Sequence, residues 1–187
     1  EAQSLNLTAR QIDNTQGALR ADQLLTLESN GSVNNTAGLI SSAGHLTVRE
    51  ATTGRNTLAV TNTNGTLVAG QTLNVQIAAL TGDVGLFSLG DLSLQLTQNF
   101  TLTGELKALG NASVHTAATF TNQSDVQTGG LLKVRAAQMR NDTYGVLSGG
   151  QLDVAVTGTL TNFGLLDGQD ALIQAHTLNN LTTGRIY

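Results

Sequence analysis

The 187 residues predict an all-β fold, a right-handed parallel β-helix with about nine coils of roughly 20 residues each. The first observation behind this prediction is that residues 89–168 divide into four ungapped segments of 20, each with Gly at its second position. The second is an apolar-x-apolar pair that follows each of these glycines. The third is the absence of proline, which cannot donate a hydrogen bond to a β-ladder. Repeats of this kind bury their apolar faces only by stacking on their neighbours.

The apolar pair can be followed along the whole chain and counts the coils. The pairs are Leu5/Leu7, Leu25/Leu27, Leu46/Val48, Leu73/Val75, Leu92/Leu94, Ala112/Val114, Leu132/Val134, Leu152/Val154 and Ala171/Ile173. Successive pairs are 20, 21, 27, 19, 20, 20, 20 and 19 residues apart. Equivalent strands one coil apart must run parallel, so residues about 20 apart become lateral neighbours. Residues 1–187 then form one repeat domain, which we interpret as a piece of a longer array.

An asparagine corner follows the apolar pair in seven of the nine coils. The residues are Asn14, Asn35, Asn62, Asn122, Asn141, Asn162 and Asn180, each two places after an apolar residue. The coils that begin at Leu73 and Leu92 lack this residue, and a turn glycine closes most coils shortly afterwards. The side chains could stack as an amide ladder, which the sequence favours, or each Asn could form an isolated left-handed turn.

The 27-residue step is the one break in the period. It places six or seven extra residues near the third coil, and we predict a surface loop over residues 49–57. Loops on rigid scaffolds often carry binding residues, so Arg49, Glu50, Arg55 and Asn56 are the candidate ligand contacts. A tolerated surface insertion without a binding role is the alternative.

Composition limits the classes of function. Charged residues make up 12% of the chain and the formal net charge is -4, which gives no electrostatic reason to expect nucleic acid or an anionic membrane as partner. There is no cysteine, so no disulfide or thiolate metal site is expected, and no apolar run reaches the 18 residues of a membrane span. We expect no cofactor.

Catalytic residues do not stand out. Polysaccharide lyases and hydrolases with this fold need clustered carboxylates on adjacent coils, and here only Glu105 and Asp125 stack. The sequence therefore predicts no catalytic or metal site, with a β-helical polysaccharide lyase or hydrolase as the alternative of another class. Lys133 falls beside Asp153 one coil away, which suggests a surface ion pair. Thr-x-Thr steps occur but are not expected to continue from coil to coil.

The recurring order of landmarks resembles the haemagglutinin repeats of the filamentous haemagglutinin family. Gly150-Gln151-Leu152-Asp153-Val154, then Leu160-Thr161-Asn162, then Gly164-Leu165-Leu166 show the pattern most fully. Each motif alone is weak, whereas nine in phase across the whole chain are specific.

This resemblance implies a non-enzymatic shaft or adhesive segment of a large exoprotein, secreted to the surface of a Gram-negative bacterium. Its partners would be the outer-membrane two-partner-secretion transporter during export, and a receptor or glycan on a host or neighbouring cell. The alternative within the family is the shaft of a contact-dependent growth inhibition toxin. Exposed strand edges at the ends of the solenoid also lead us to expect end-to-end association.

Overall fold

The computed structural model describes residues 2–187, and every regular element in that range is a β-strand. In chain order the strands are β1 (Ala2–Asp13), β2 (Ala18–Asn34), β3 (Leu39–Ser42), β4 (His45–Glu50), β5 (Ala59–Thr61), β6 (Thr66–Ala69), β7 (Thr72–Ile77), β8 (Ala79–Thr81), β9 (Gly85–Ser88), β10 (Asp91–Leu96), β11 (Phe100–Leu102), β12 (Leu106–Ala108), β13 (Ala112–Thr116), β14 (Thr119–Asn122), β15 (Asp125–Thr128), β16 (Leu131–Ala136), β17 (Gln138–Asn141), β18 (Val146–Asn162), β19 (Leu165–Asn180) and β20 (Arg185–Ile186).

These strands stack in parallel as three faces of one solenoid. The first face carries the apolar pairs and includes β4, β7, β10, β13 and β16. The second face leads to the Asn corner and includes β5, β8, β11, β14 and β17, and the third face includes β3, β6, β9, β12 and β15. The long strands β1, β2, β18 and β19 bend around corners and contribute to more than one face.

The interior is a set of aliphatic columns that run along the axis. Leu92 pairs with Ala112, Ala112 with Leu132, and Leu132 with Leu152, and each of the four is at most 2% exposed. The predicted parallel solenoid of about nine coils is therefore confirmed. Each fully buried aliphatic side chain contributes about 1.5 to 3 kcal/mol of transfer free energy, and it does so only when the next coil covers it.

The Asn corner forms two hydrogen-bonded amide ladders inside the solenoid. In the first, Nδ2 of Asn14 donates to Oδ1 of Asn35 at 2.7 Å, and Asn35 donates to Asn62 at 2.6 Å. In the second, the same bond joins successive members at 2.8 to 2.9 Å, from Asn122 through Asn141 and Asn162 to Asn180. Asn35, Asn62, Asn122, Asn141 and Asn162 are fully buried, so the ladder satisfies amides that would otherwise lose water without a partner.

Two coils without Asn separate these ladders. The pairing of Thr61 with Thr81 places Gly82 one coil above Asn62, and Leu102 pairs with Asn122. Gly82 has a φ of 100°, and a Cβ there would lie 2.6 Å from the Thr63 nitrogen, so no other residue fits. Leu102 and the stacked rings of Phe100 and Phe120, with centroids 5.6 Å apart, fill this region instead. The gap is an apolar segment of the core.

One sequence prediction about the surface columns was wrong. Asp153 forms its ion pair with Arg135 at 2.5 Å and not with Lys133. Arg135 lies two residues after Lys133 on the same strand, and its side chain reaches diagonally to Asp153 on the next coil. Single threonines do pair between coils, as Thr61 does with Thr81 and Thr101 with Thr121. The Thr-x-Thr steps are not maintained, since Thr119 and Thr121 pair with Gln138 and Arg140 on the next coil.

Candidate ligand-contact site at the insertion loop

The extra residues of the third coil form a loop at the corner between the first and second faces. Strand β4 ends at Glu50 and β5 begins at Ala59, so the irregular segment covers residues 51–58. Of the four predicted contact residues, Arg49 and Glu50 are the last residues of β4, whereas Arg55 and Asn56 lie in the loop. Arg49, Arg55 and Asn56 are exposed, and Glu50 is half-buried.

Glu50 fixes the end of the loop that returns to the solenoid. Its carboxylate accepts backbone N–H bonds from Asn56 at 2.5 Å, from Thr57, and from Leu58 at 3.0 Å. The hydroxyl of Thr57 donates a further bond at 2.7 Å. Desolvation would raise the pKa of Glu50, but these hydrogen bonds outweigh it and hold the pKa below its ordinary value. Glu50 is therefore ionised and anchors the loop from within.

Asn30, on the preceding coil, fixes the start of the loop. Its Nδ2 donates to Oγ1 of Thr52 at 2.9 Å, and its Oδ1 accepts the N–H of Thr52 at 2.8 Å. The loop is thus tied down at both ends and projects Thr53, Gly54 and Arg55 between them. Gly54 and Asn56 have φ values of 85° and 53°, which bend the loop back toward β5.

Arg49 is oriented by Glu28 of the coil below. Its Nε and Nη2 donate to Oε1 of Glu28 at 2.9 and 2.6 Å. The bond from Arg49, with a smaller contribution from the hydroxyl of Thr8, lowers the pKa of Glu28. The pair lies in the open, so it aligns the guanidinium more than it stabilises the fold.

A groove of about 470 Å³ lies on the side of the loop that faces the later coils, and we call it the upper groove. Its wall is the loop, and its floor carries a polar column in which Gln76, Gln95 and His115 occupy equivalent positions on three successive coils. Ile77 and Leu96 form the apolar bottom. The volume suits a small ligand or one end of a larger one, held by amide and guanidinium donors.

A second groove of about 620 Å³, the lower groove, lies on the opposite side of the loop. Arg10 and Arg55 line it together with Thr8 and Asn30. Its charged lining residues are both arginines, so the two grooves differ in their chemistry. The loop separates a mixed polar groove from a cationic one.

Sequence reasoning found the loop but missed most of the residues around it. Glu28, Asn30, Gln76 and Gln95 belong to regular coils and carry no local motif. The register of the repeat could have found most of them, because Glu28 and Gln76 lie beside Arg49 on the two adjacent coils and Gln95 follows Gln76 one coil on. His115 joins the upper groove in the same way, whereas His45 and His176 lie elsewhere on the surface.

Within the described range 2–187, no group of three or more His, Cys, Asp or Glu side chains is arranged to hold a metal ion. The same residues contain no helix long and apolar enough to cross a membrane. The groups around the loop donate and accept hydrogen bonds.

Stacked coils with amide ladders at one corner and an inserted loop at another define the class of repetitive β-solenoid proteins. Within that class the chain belongs to the family of the haemagglutinin repeat, which matches residues 2–50, 51–104, 78–124 and 90–186. No curated protein and no solved structure matches it. The resemblance to the filamentous haemagglutinin family is thus confirmed. Proteins with this repeat are generally structural or adhesive, and membership implies an extracellular exoprotein.

Proposed function

We propose that the chain is a shaft segment of an adhesin on the surface of a Gram-negative bacterium, and that it contacts ligands through the insertion loop. The observation that carries this proposal is the combination of a continuous rod with a loop held at both ends by Asn30 and Glu50. At about 4.8 Å per coil, nine coils span about 43 Å, a length suited to holding distal parts away from the cell. A receptor or glycan on a host or neighbouring cell is the proposed ligand.

The ligand-contact role can be tested with the purified chain on beads. We expect saturable binding of the beads to erythrocytes or epithelial cells, and at least a tenfold loss of affinity for Arg49→Ala and Arg55→Ala, because each removes a donor that lines a groove. Arg20→Ala is the matched control, since Arg20 is exposed on β2 at the third face. Beads that do not bind, or loop variants that bind as well as the unchanged chain, would refute the role of the loop.

Export through an outer-membrane two-partner-secretion transporter is part of this proposal. The absence of cysteine favours passage as an unfolded chain, since no disulfide has to form or break on the way. Coils that bury their faces only on neighbours can then form in order as the chain emerges. Secretion of the full-length exoprotein should stop when the transporter is deleted, and unchanged secretion would contradict this route.

End-to-end association is a further proposal about the same rod. Leu178 in the last coil is 47% exposed, whereas Leu160, its partner one coil earlier, is 0% exposed. The uncovered edges of the end coils can pair with other chains. Sedimentation velocity over a concentration series should show open-ended growth, and a single species at every concentration would count against it.

A further inference from the structure

The second face is almost without charge, unlike the other two. Its outward positions form two columns that run the length of the solenoid. One column consists of Asp13, Asn34, Thr61, Thr81, Thr101, Thr121, Arg140, Thr161 and Asn179. Its steps are strand pairings except that from Thr81 to Thr101, which follows from the 20-residue period. The neighbouring column consists of Gln11, Ser32, Ala59, Ala79, Asn99, Thr119, Gln138, Thr159 and Thr177, in which Asn99 accepts the N–H of Thr119 and Gln138 accepts that of Thr159. Among these positions only Asp13 and Arg140 are charged, and depletion of charge is typical of the centre of a protein interface.

The two charges lie at equal distances on either side of Thr81, the fourth of the nine positions in the first column. Asp13 is three coils before Thr81, and Arg140 is three coils after it, with Asn34 and four threonines between them. Consider a second copy placed on this face and related to the first by a two-fold axis parallel to the strands. Its coils then run in the reverse order, and each column faces the same column of the other copy. Thr81 then faces Thr81, and the carboxylate of one copy faces the guanidinium of the other, twice.

Both charged groups keep binding capacity for a partner. Oδ1 of Asp13 accepts the N–H and the hydroxyl of Thr15, and the residue is exposed, which leaves its second oxygen for a partner. Arg140 uses Nε for Asp142 and rests on the Phe163 ring, with 4.5 Å from its Cζ to the ring centroid. The terminal guanidinium nitrogens remain available, and the stacking holds them in place.

We propose that the second face packs against the same face of a second copy of this chain, in antiparallel orientation. The columns of the two copies have the same spacing of about 4.8 Å between side chains. The hydroxyl and methyl groups of one copy therefore fit between those of the other, as in paired β-sheets. The overlap of seven coils is about 34 Å long and covers about 500 Å² per copy. A total near 1,000 Å² is the lower limit of a specific interface, so the pair is weak and reversible.

The insertion loop leaves this face free. The residues that line its two grooves come from the first face, the corner and the loop itself. Shafts that project from two facing cells meet in the antiparallel orientation, and this biological consequence rests on the proposed surface location. The pairing of the purified chains does not depend on it.

Cysteine trapping tests the interface and its orientation, because the chain has no cysteine of its own. T81C should form a disulfide with the same position of a second chain. Q127C, at an exposed site on the third face, should not. T61C should cross-link to T101C of a second copy more readily than to itself. Equal trapping of T81C and Q127C would overturn the interface, and preferential self-linking of T61C would overturn the antiparallel arrangement.

Charge variants test the same interface without a covalent bond. Sedimentation velocity from about 1 µM to about 1 mM should show reversible association, and the variants below separate its face-to-face part from end-to-end growth. T81E should raise the dissociation constant at least tenfold, because two like charges meet at the axis, whereas Q127E should leave it unchanged. D13R and R140D should each weaken the pair, and the D13R/R140D double variant should restore it. Association that none of these variants changes, or loss of pairing without restoration, would refute the proposal, with thermal melts confirming that each variant is folded.

Discussion

A Cβ at Gly145 would overlap Oδ1 of Asn141, so these two residues form one structural unit. Nδ2 of Asn141 donates to the Gly145 carbonyl at 3.1 Å and to Oδ1 of Asn162 at 2.8 Å. The same overlap with a ladder oxygen occurs at Gly17, Gly38, Gly65 and Gly184. The Asn corner and the turn glycine, which look like separate landmarks in the sequence, are therefore one motif in which the amide occupies the space of the missing side chain.

Removal of a ladder amide should destabilise the solenoid strongly. Asn141→Ala leaves the Nδ2 of Asn122 and the Oδ1 of Asn162 without their partner inside the protein. We expect the free energy of unfolding in urea to fall by about 2 to 4 kcal/mol, since each unsatisfied buried group costs about 1 to 3 kcal/mol. Asn179→Ala, on an exposed residue of the second face, is the control and should change it by less than about 0.5 kcal/mol. Equal effects would contradict the ladder's role.

Two substitutions separate the steric role of the turn glycine from the general conformational freedom of glycine. Gly145→Ala must displace the Asn141 amide, so we expect it to lower the free energy of unfolding by more than about 2 kcal/mol. At Gly54 a Cβ would meet nothing within 4 Å, and only the φ of 85° opposes a side chain. Gly54→Ala should therefore cost about 1 kcal/mol. Thermal and urea unfolding measure both, and a smaller effect at Gly145 would show that the turn adapts.

The anchor of the insertion loop should control access to its backbone. Glu50→Gln removes the negative charge and directs an amide N–H toward backbone donors, so the loop should open more often. We expect tryptic cleavage after Arg55 to become at least about tenfold faster, which corresponds to about 1.4 kcal/mol of loop stability. Glu105→Gln, an exposed residue paired with Lys107, is the control. Unchanged cleavage after Arg55 would mean that other contacts hold the loop.

Acidification should release the loop without unfolding the solenoid. Because the folded pKa of Glu50 is lowered, its carboxylate stabilises the loop above its unfolded pKa, and this contribution is lost as the pH falls through the folded value. The amide resonance of Leu58, which donates to this carboxylate, should shift with a midpoint below the ordinary pKa of glutamate. Far-UV circular dichroism should stay constant over the same range. A midpoint at or above the ordinary value would contradict the anchoring.

The repeat made much of the fold predictable. The stack of Leu92, Ala112, Leu132 and Leu152 follows from a spacing of 20, because a parallel solenoid turns sequence period into spatial adjacency. The prediction of a loop near residues 49–57 rested on the same counting. The partner of Asp153 was mispredicted because side-chain length and direction, and not register, decide between Lys133 and Arg135.

The sequence by itself determined the period, the number of coils and the corner at which each Asn lies, since those depend on the order of residues along one coil. Only the tertiary structure decided that the asparagines bond into two ladders divided at Gly82 and Leu102, that Glu50 folds its own loop around its carboxylate, and that Gln76, Gln95 and His115 meet beside it. The physical reason is that these contacts join side chains from different coils. Their distances are set by how far each side chain reaches across the stack, which no single coil contains.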